Sequence, residues 1–297
     1  MASKRSTSII VTGGVSGIGL GITRYFASQP NTHITVFDIT DGTAVLDQLR
    51  SEFPSASLAN LQCDVSSWES QAATFEKVVA EQGHIDTVFA NAGITQKGDL
   101  LANIHEAKPS KPELRTLDVN LVGVIYSTSP PLPARLHFPG SANTEVSAAK
   151  LAAHYMVKNP PRKLETGLSK GSIICTASNA GIYPFPIAPL YAATKSGVIG
   201  LVRSLARSLE WEQIQINALA PAVIETNIAP DSALFRSMIL TPMSTATRAV
   251  AQLVNDSSLT GKVLELHGEE VTFAEPPAYV DEDTGTNIEM FWKLGYA

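Results

Sequence analysis

The chain has 297 residues, 44% of them hydrophobic, enough for one large core. Because α/β domains of this size commonly stay undivided, one domain over residues 1–297 is expected. With 28 acidic against 22 basic residues, a net charge of -6 and no basic run longer than Lys4-Arg5, the composition argues against nucleic acid as a partner. The basic N-terminus has too short an apolar run for a signal peptide, and nowhere do about 18 apolar residues run together. A cytoplasmic protein with no membrane span is therefore expected.

In chain order, short apolar runs at Ser8 to Thr12, His33 to Phe37, Leu58 to Cys63, Thr87 to Ala90, Ser172 to Thr176, Gln215 to Leu219 and Lys262 to Leu266 read as strands. Helical periods near 18–29, 43–52, 67–82, 113–128, 191–212 and 243–254 fall between them. This alternation predicts an α/β fold, a doubly wound and mostly parallel seven-stranded sheet whose strand C-termini line one ligand crevice. Cys63 and Cys175 sit inside strand-like runs, as buried reduced thiols do. The six histidines show no ligand spacing, so no metal is expected.

One stretch breaks the rhythm. Residues 129–149 read SPPLPARLHFPGSANTEVSAA, with four prolines that a helix interior does not accept. With that stretch removed, Leu121, Val124, Ile125, Thr128, Ala152, Ala153 and Met156 fall at helical spacing. The segment is then an insertion splitting one helix, or even an unremoved intervening sequence; the alternative is an ordinary surface loop acting as a lid.

The first chemical motif, Thr12-Gly13-Gly14-Val15-Ser16-Gly17-Ile18-Gly19, links the first strand to the first helix. Gly13, Gly17 and Gly19 would let the backbone turn tightly against a pyrophosphate that sits on the helix N-terminus beside Ser16 and Ile18. Asp38 ends the second strand about 20 residues on, where a carboxylate accepts hydrogen bonds from ribose hydroxyls. It would repel a 2'-phosphate, and neither Val15 nor Ile39 is basic, so NAD is favoured over NADP. The other reading of Asp38 is a cap on a turn.

Further along stand Asp64-Val65, Asn91-Ala92-Gly93, Asn120 within DVNLVG, Ser178, and Tyr191-Ala192-Ala193-Thr194-Lys195. Taken singly, Tyr191 could be a helix-start aromatic, Lys195 a solvated charge, and Ser178 and Asn120 caps. Together with TGGVSGIG, and with Ser178 thirteen residues before Tyr191, the ordered set from about residue 8 to 270 resembles the short-chain dehydrogenase/reductase family and its Rossmann fold. Tyr191 and Lys195 at i and i+4 share a helix face. Bringing a phenol from a pKa of about 10 to near 7 or 8 takes roughly 3 to 4 kcal/mol of preferential phenolate stabilisation, which a neighbouring ammonium and an oxidised nicotinamide would supply.

The resemblance implies that Tyr191 is the acid/base, that Ser178 holds the substrate oxygen, that Lys195 also binds the nicotinamide ribose, and that Asn120 holds a proton-relaying water. It also implies that Asp64 accepts from the adenine amino group, that Val65 and Asn91-Ala92-Gly93 border the adenosine, and that Val223 and Thr226 in PAVIET hold the carboxamide. Alanine at 222 stands where the family has glycine, which leaves that loop's path open. Ile182, Tyr183, Leu234, Phe235 and Met238 are the candidate substrate contacts in an apolar cover. QCDV, NLVGVI, PLYAATKSG and LVNDSSLTGKVLEL are most similar to NAD-dependent hydroxyprostaglandin dehydrogenases. That likeness implies oxidation of a secondary alcohol on a hydrophobic small molecule, such as a lipid, terpenoid or polyketide of natural-product biosynthesis. It also implies a homodimer or homotetramer. An NADPH-dependent ketoreductase and a catalytically silent NAD-binding protein remain as alternatives.

Overall fold

The computed structural model describes residues 5–96, 111–128, 151–226 and 232–294, together with residues 100, 105, 107, 108 and 228; side-chain placement in the last long stretch begins at Phe235. The predicted order of elements holds to within a few residues. Strands β1 (Thr7–Thr12), β2 (Thr32–Asp38), β3 (Ser57–Gln62) and β4 (Thr87–Ala90) alternate with helices α1 (Gly17–Ala27), α2 (Thr43–Glu52) and α3 (Trp68–Gln82). Next come a short α4 (Arg115–Leu117), a π-helical turn at Asp118–Val122, α5 (Gly123–Thr128), α6 (Leu151–Met156) and the hairpin strands β5 (Arg162–Leu164) and β6 (Gly167–Ser169). The chain then forms β7 (Gly171–Thr176), α7 (Pro189–Trp211), β8 (Ile214–Pro221), α8 (Met243–Asn255), β9 (Val263–His267), β10 (Glu270–Phe273) and α9 (Glu282–Leu294).

The sheet runs β10-β9-β8-β7-β4-β1-β2-β3, parallel throughout except where β10 pairs antiparallel with β9. That makes eight strands rather than seven. The extra strand exists because Gly268, with φ 51, takes the left-handed conformation a two-residue hairpin needs after His267. Successive side chains of a strand face opposite sides, and β1 shows the result: Ile10 joins the apolar layer beneath α3, α5, α6 and α7, while Ile9 and Val11 join that beneath α1, α2 and α8. The strand order reverses between β1 and β4, so their C-terminal ends, Thr12 and Ala90, open the crevice where such sheets bind ligands.

The proposed insertion, 129–149, lies outside the described residues, but its flanks bear on it. Trp68 of α3 meets Tyr126 of α5 edge-on at 5.7 Å between ring centres, and Phe75 of α3 stacks on Tyr155 of α6 at 6.5 Å. Trp68 and Phe75 are seven residues apart on one face of α3; with 129–149 removed, Tyr155 would follow Tyr126 by eight, the spacing of one helix running alongside. Val124, Thr128, Ala152, Ala153 and Met156 are all buried, as that single face requires.

A chain lacking residues 129–149, with Thr128 joined to Lys150, is expected to unfold cooperatively with a Tm equal to or above that of the full chain. Calorimetry checks this, and loss of the folded state would show that α5 and α6 are not halves of one helix.

Candidate active site

The crevice is organised by hydrogen bonds at the strand tips. The Thr12 hydroxyl accepts from the amides of Asn91 (2.9 Å) and Ala92 (3.0 Å). Asn91 donates through Nδ2 to the Thr12 carbonyl at 3.1 Å and accepts through Oδ1 from the Thr176 hydroxyl at 3.0 Å. The ends of β1, β4 and β7 are thereby locked together. Gly13 takes φ 65, and a Cβ there would lie 2.9 Å from the Ala92 Cα; one on Gly19 would lie 2.1 Å from the Gly13 carbonyl oxygen. Only glycine fits such contacts. Ser16 caps α1 without a side-chain hydrogen bond, and the first turn carries no acid, so the opening amides of this helix present a site for an anionic pyrophosphate.

Two adjoining clefts, about 220 and 190 Å3, share Gly13, Ser16, Ala92 and Gly93. The first adds Gly17, Ile18, Asn91, Ser178, Tyr191, Lys195 and Thr226. The second adds Asp38, Ile39, Asp64, Val65 and Arg115. Two linked clefts meeting at a glycine turn and a bare helix N-terminus fit an extended dinucleotide. Asp38 plays the capping part as well: Oδ1 accepts from the Thr40 amide (3.1 Å) and hydroxyl (2.9 Å), and Oδ2 faces the Val15 amide at 3.4 Å. Hydrogen bonds from Ser66 hold the Asp64 carboxyl below its ordinary pKa, with desolvation opposing and the Arg115 charge assisting. Val223 stands outside both linings, its carbonyl accepting from the Thr241 amide at 2.7 Å. Ala222 donates to the Leu266 carbonyl at 2.8 Å, so β9 sets the path of the loop that the missing glycine left open.

The reactive groups converge from β7 and α7. Ser178 follows β7 and caps the turn Asn179–Gly181, its oxygen accepting from the Ala180 amide at 3.2 Å. Lys195 is buried, donates through Nζ to the Thr176 carbonyl at 2.7 Å, and stands 5.6 Å from the centre of the Tyr191 ring. Burial pulls the Lys195 amine down to about 8, while the Cys175 thiol beneath it is pushed up to about 12. For Tyr191 the sequence expectation invoked both the ammonium and a bound oxidised nicotinamide, and the protein groups by themselves act in the other direction. Burial pushes the phenol above its usual value, and the hydrogen bond with Ser178 only partly offsets this. A depressed phenol pKa is therefore not a property of the Tyr191 and Lys195 pair alone, because removing water costs the anion more than its neighbours return.

Asn120 lies on the π-helical turn and is fully buried. Its Oδ1 accepts from the Ile94 amide and its Nδ2 donates to the Ile94 carbonyl, both at 2.8 Å. It lines neither cleft, but a Cβ on Gly93 would meet Asn120 Oδ1 at 3.3 Å and Lys195 Nζ at 3.6 Å, so the two residues flank that glycine. The candidate substrate contacts are not gathered at the cleft. Ile182 packs against the core, the exposed Tyr183 donates its hydroxyl to Glu265 at 3.0 Å, Phe235 is buried and Met238 is exposed; the Leu234 side chain lies outside the described set. Phe185, whose ring centre is 6.3 Å from that of Tyr191, and Ile228, which lines the first cleft, carry no motif and escaped sequence reasoning, as did Arg115 and Gln96.

Comparison with known proteins agrees with this geometry. A profile of the short chain dehydrogenase family matches residues 7–142 and 141–236, its two segments meeting inside the proline-rich stretch. The chain is 27% identical to the short-chain dehydrogenase/reductase prx7 of Penicillium rubens, over 83% of this chain and 80% of that one. It is 32% identical to prx4 of Penicillium roqueforti over 75% of this chain, spanning only 56% of that protein, and 26% identical to ipsdienol dehydrogenase of Ips pini over 90% and 98%. Among solved structures it resembles a Brucella melitensis 3-oxoacyl-[acyl-carrier protein] reductase in complex with NAD (TM-score 0.71, 23% identity, 90% and 97% covered). It also resembles an actinorhodin polyketide ketoreductase with NADPH (TM-score 0.66, 22% identity, 90% and 98% covered). The chain belongs to the short chain dehydrogenase family, and is an oxidoreductase of alcohols and ketones that uses a nicotinamide dinucleotide. No helix among the described residues is long and apolar enough to cross a membrane.

The buried lysine gives a stability test. Its folded pKa near 8 lies below the free value of 10.5, so between those values the unfolded chain binds more protons and stability rises with pH. Below pH 8 the folded protein carries the whole cost of keeping the charged form, about 3 kcal/mol, against which a methionine variant would lose the hydrogen bond to Thr176. Lys195→Met is expected to exceed the parent by about 1 to 2 kcal/mol at pH 7 and, because titration of the lysine moves the difference by about 3 kcal/mol, to fall below it near pH 10.5. Denaturant unfolding at both pH values checks it; a less stable variant at pH 7 would contradict the assigned cost.

Proposed function

We propose that this enzyme is an NAD-dependent dehydrogenase that oxidises a secondary alcohol on a hydrophobic small molecule, with Tyr191 as acid/base. The observation that carries the reading is the convergence of Ser178, Tyr191 and Lys195 on the same cleft as the glycine turn and the open end of α1. Ser178 orients the substrate oxygen toward the Tyr191 phenol, which takes the alcohol proton in oxidation and returns it in reduction. Lys195 holds a positive charge against the same face of α7 and binds the nicotinamide ribose, while Asn120 fixes the segment at Ile94 beside it. When bound, the oxidised nicotinamide supplies the hydride-accepting carbon and a positive charge that favours the phenolate.

Gly13, Ser16, Gly17, Ile18 and Gly19 would hold the pyrophosphate, Asp38 the ribose, Asp64 and Val65 the adenine, Asn91, Ala92 and Gly93 the adenosine side, and Val223 and Thr226 the carboxamide. Asp38, followed by the apolar Ile39, supports NAD. Arg115 in the same cleft favours a second reading, an NADPH-dependent ketoreductase, because its guanidinium could receive a 2'-phosphate.

Exposed Phe185, Ile187, Ile228, Ile239 and Leu240, with Tyr183 and Met238, support an apolar substrate, for which Ile182, Leu234 and Phe235 remain proposed contacts. The motifs read as similar to hydroxyprostaglandin dehydrogenases suggest a secondary alcohol, while the relatives found by comparison are fungal short-chain dehydrogenases and an ipsdienol dehydrogenase. The fungal relatives and ipsdienol dehydrogenase support a terpenoid or polyketide of natural-product biosynthesis as readily as a lipid. We further infer a single cytoplasmic domain bearing the 129–149 insertion and assembling as a homodimer or homotetramer.

Purified protein is expected to reduce NAD with at least one member of a panel of hydrophobic secondary alcohols, followed by cofactor absorbance. Tyr191→Phe should lower kcat by about 10²- to 10⁴-fold while NADH binding, read by fluorescence, is retained. Clear preference for NADP would overturn the Asp38 argument, and turnover unaffected by Tyr191→Phe would overturn the mechanism.

A further inference from the structure

We propose that Gln96 is a positioning residue for the helix that carries the acid/base, its side-chain oxygen supplying the N-terminal cap that α7 does not make for itself. The inference rests on the reading of Tyr191 given above. Helix α7 begins at Pro189, which has no N–H, after Ala188, whose methyl side chain cannot cap. The first turn carries no acid. Its leading amide donors are therefore those of Leu190 and of Tyr191 itself. Both point at Gln96: Oε1 accepts from Leu190 N at 2.8 Å and from Tyr191 N at 3.4 Å. The cap comes from 94 residues earlier in the chain, on the segment that leaves β4.

That segment is itself held hard. Thr12 accepts the amides of Asn91 and Ala92, and Asn120 brackets Ile94 by two bonds of 2.8 Å. The short stretch of chain from Asn91 to Gln96 is thus tied at Asn91 and Ala92 to the tip of β1, at Ile94 to Asn120, and through the Gln96 side chain to the backbone of Leu190 and Tyr191. The position of the phenol over the cleft is referred to the same strand tips that position the cofactor's glycine turn.

The chemistry of the cap also matters. The N-terminus of a helix carries about half a positive charge, which favours an anion forming nearby. A neutral amide oxygen satisfies the two donors and leaves that field in place. A carboxylate would satisfy them equally well but set a negative charge beside the residue that must itself become an anion. Among the described residues, the polar groups found against the Tyr191 side chain are Ser178, from the turn after β7, and Lys195, from α7; neither is negative.

Two variants of the full chain separate these effects. Gln96→Ala removes the acceptor and is expected to speed amide hydrogen exchange at Leu190 and Tyr191 and to lower kcat by about 3- to 30-fold, with KM for NAD changed less than twofold. Gln96→Glu keeps the acceptor at the same reach and is expected to restore slow exchange and recover kcat at high pH. It should also shift the pH profile of kcat/KM for alcohol oxidation upward by about 0.3 to 1 pH. Unchanged kinetics in both variants, or faster exchange in Gln96→Ala without any kinetic change, would overturn the proposal. Exchange at Leu190 and Tyr191 reads the cap whether or not the parent turns over, so failure of the cap and failure of the dehydrogenase reading are told apart.

Discussion

A charged amine buried at the end of a parallel strand is the constraint around which this site is arranged. Lys195 meets the Thr176 carbonyl at the tip of β7 and lies over the neutral Cys175 thiol. A backbone carbonyl is a modest partner for a desolvated ammonium, so the position stays costly and calls for close packing to hold it. Gly181 provides that packing. A Cβ there would lie 2.6 Å from the Lys195 backbone carbon, which means the turn after β7 presses directly on α7. The same close approach brings Ser178, at the head of that turn, to the phenol of Tyr191. Helix contact, buried cation and the hydroxyl beside the phenol are therefore one geometric solution rather than three.

The cofactor side follows a different rule, the satisfaction of polar groups where three strands end. Thr12, Asn91 and Thr176 exchange hydrogen bonds across β1, β4 and β7, and none of these bonds needs a ligand to exist. The glycine turn and the open amides of α1 are therefore positioned by bonds within the protein itself. Preorganisation of this kind lowers the ordering cost of binding a flexible dinucleotide.

Much of this was legible in the chain because it is written in local periodicity. Ile9 and Val11 against Ile10, and Val198 and Val202 along α7, declare their faces by spacing alone, and the motifs at Gly13, Ser178, Tyr191 and Lys195 met in one cleft as their order implied. What escaped was non-local. β10 depends on the conformation of one glycine, Gln96 on a helix 94 residues away, and Arg115 on the cleft that β2 and β3 open beside it. The effect of burial on Tyr191 was illegible for a related reason: spacing places an ammonium near a phenol but does not report how much water the fold removes from both.

Asp38 shows how one residue can answer to two readings at once. Its Oδ1 holds the turn through Thr40, so the capping interpretation is correct as far as it goes. Among the described residues its Oδ2 meets the Val15 amide at 3.4 Å, a long contact for a carboxylate oxygen. The turn bonds hold the side chain in place, on the lining of the second cleft. Capping and the proposed ribose recognition are therefore compatible, since a carboxylate already immobilised by its own turn would lose little further freedom on accepting from a hydroxyl pair.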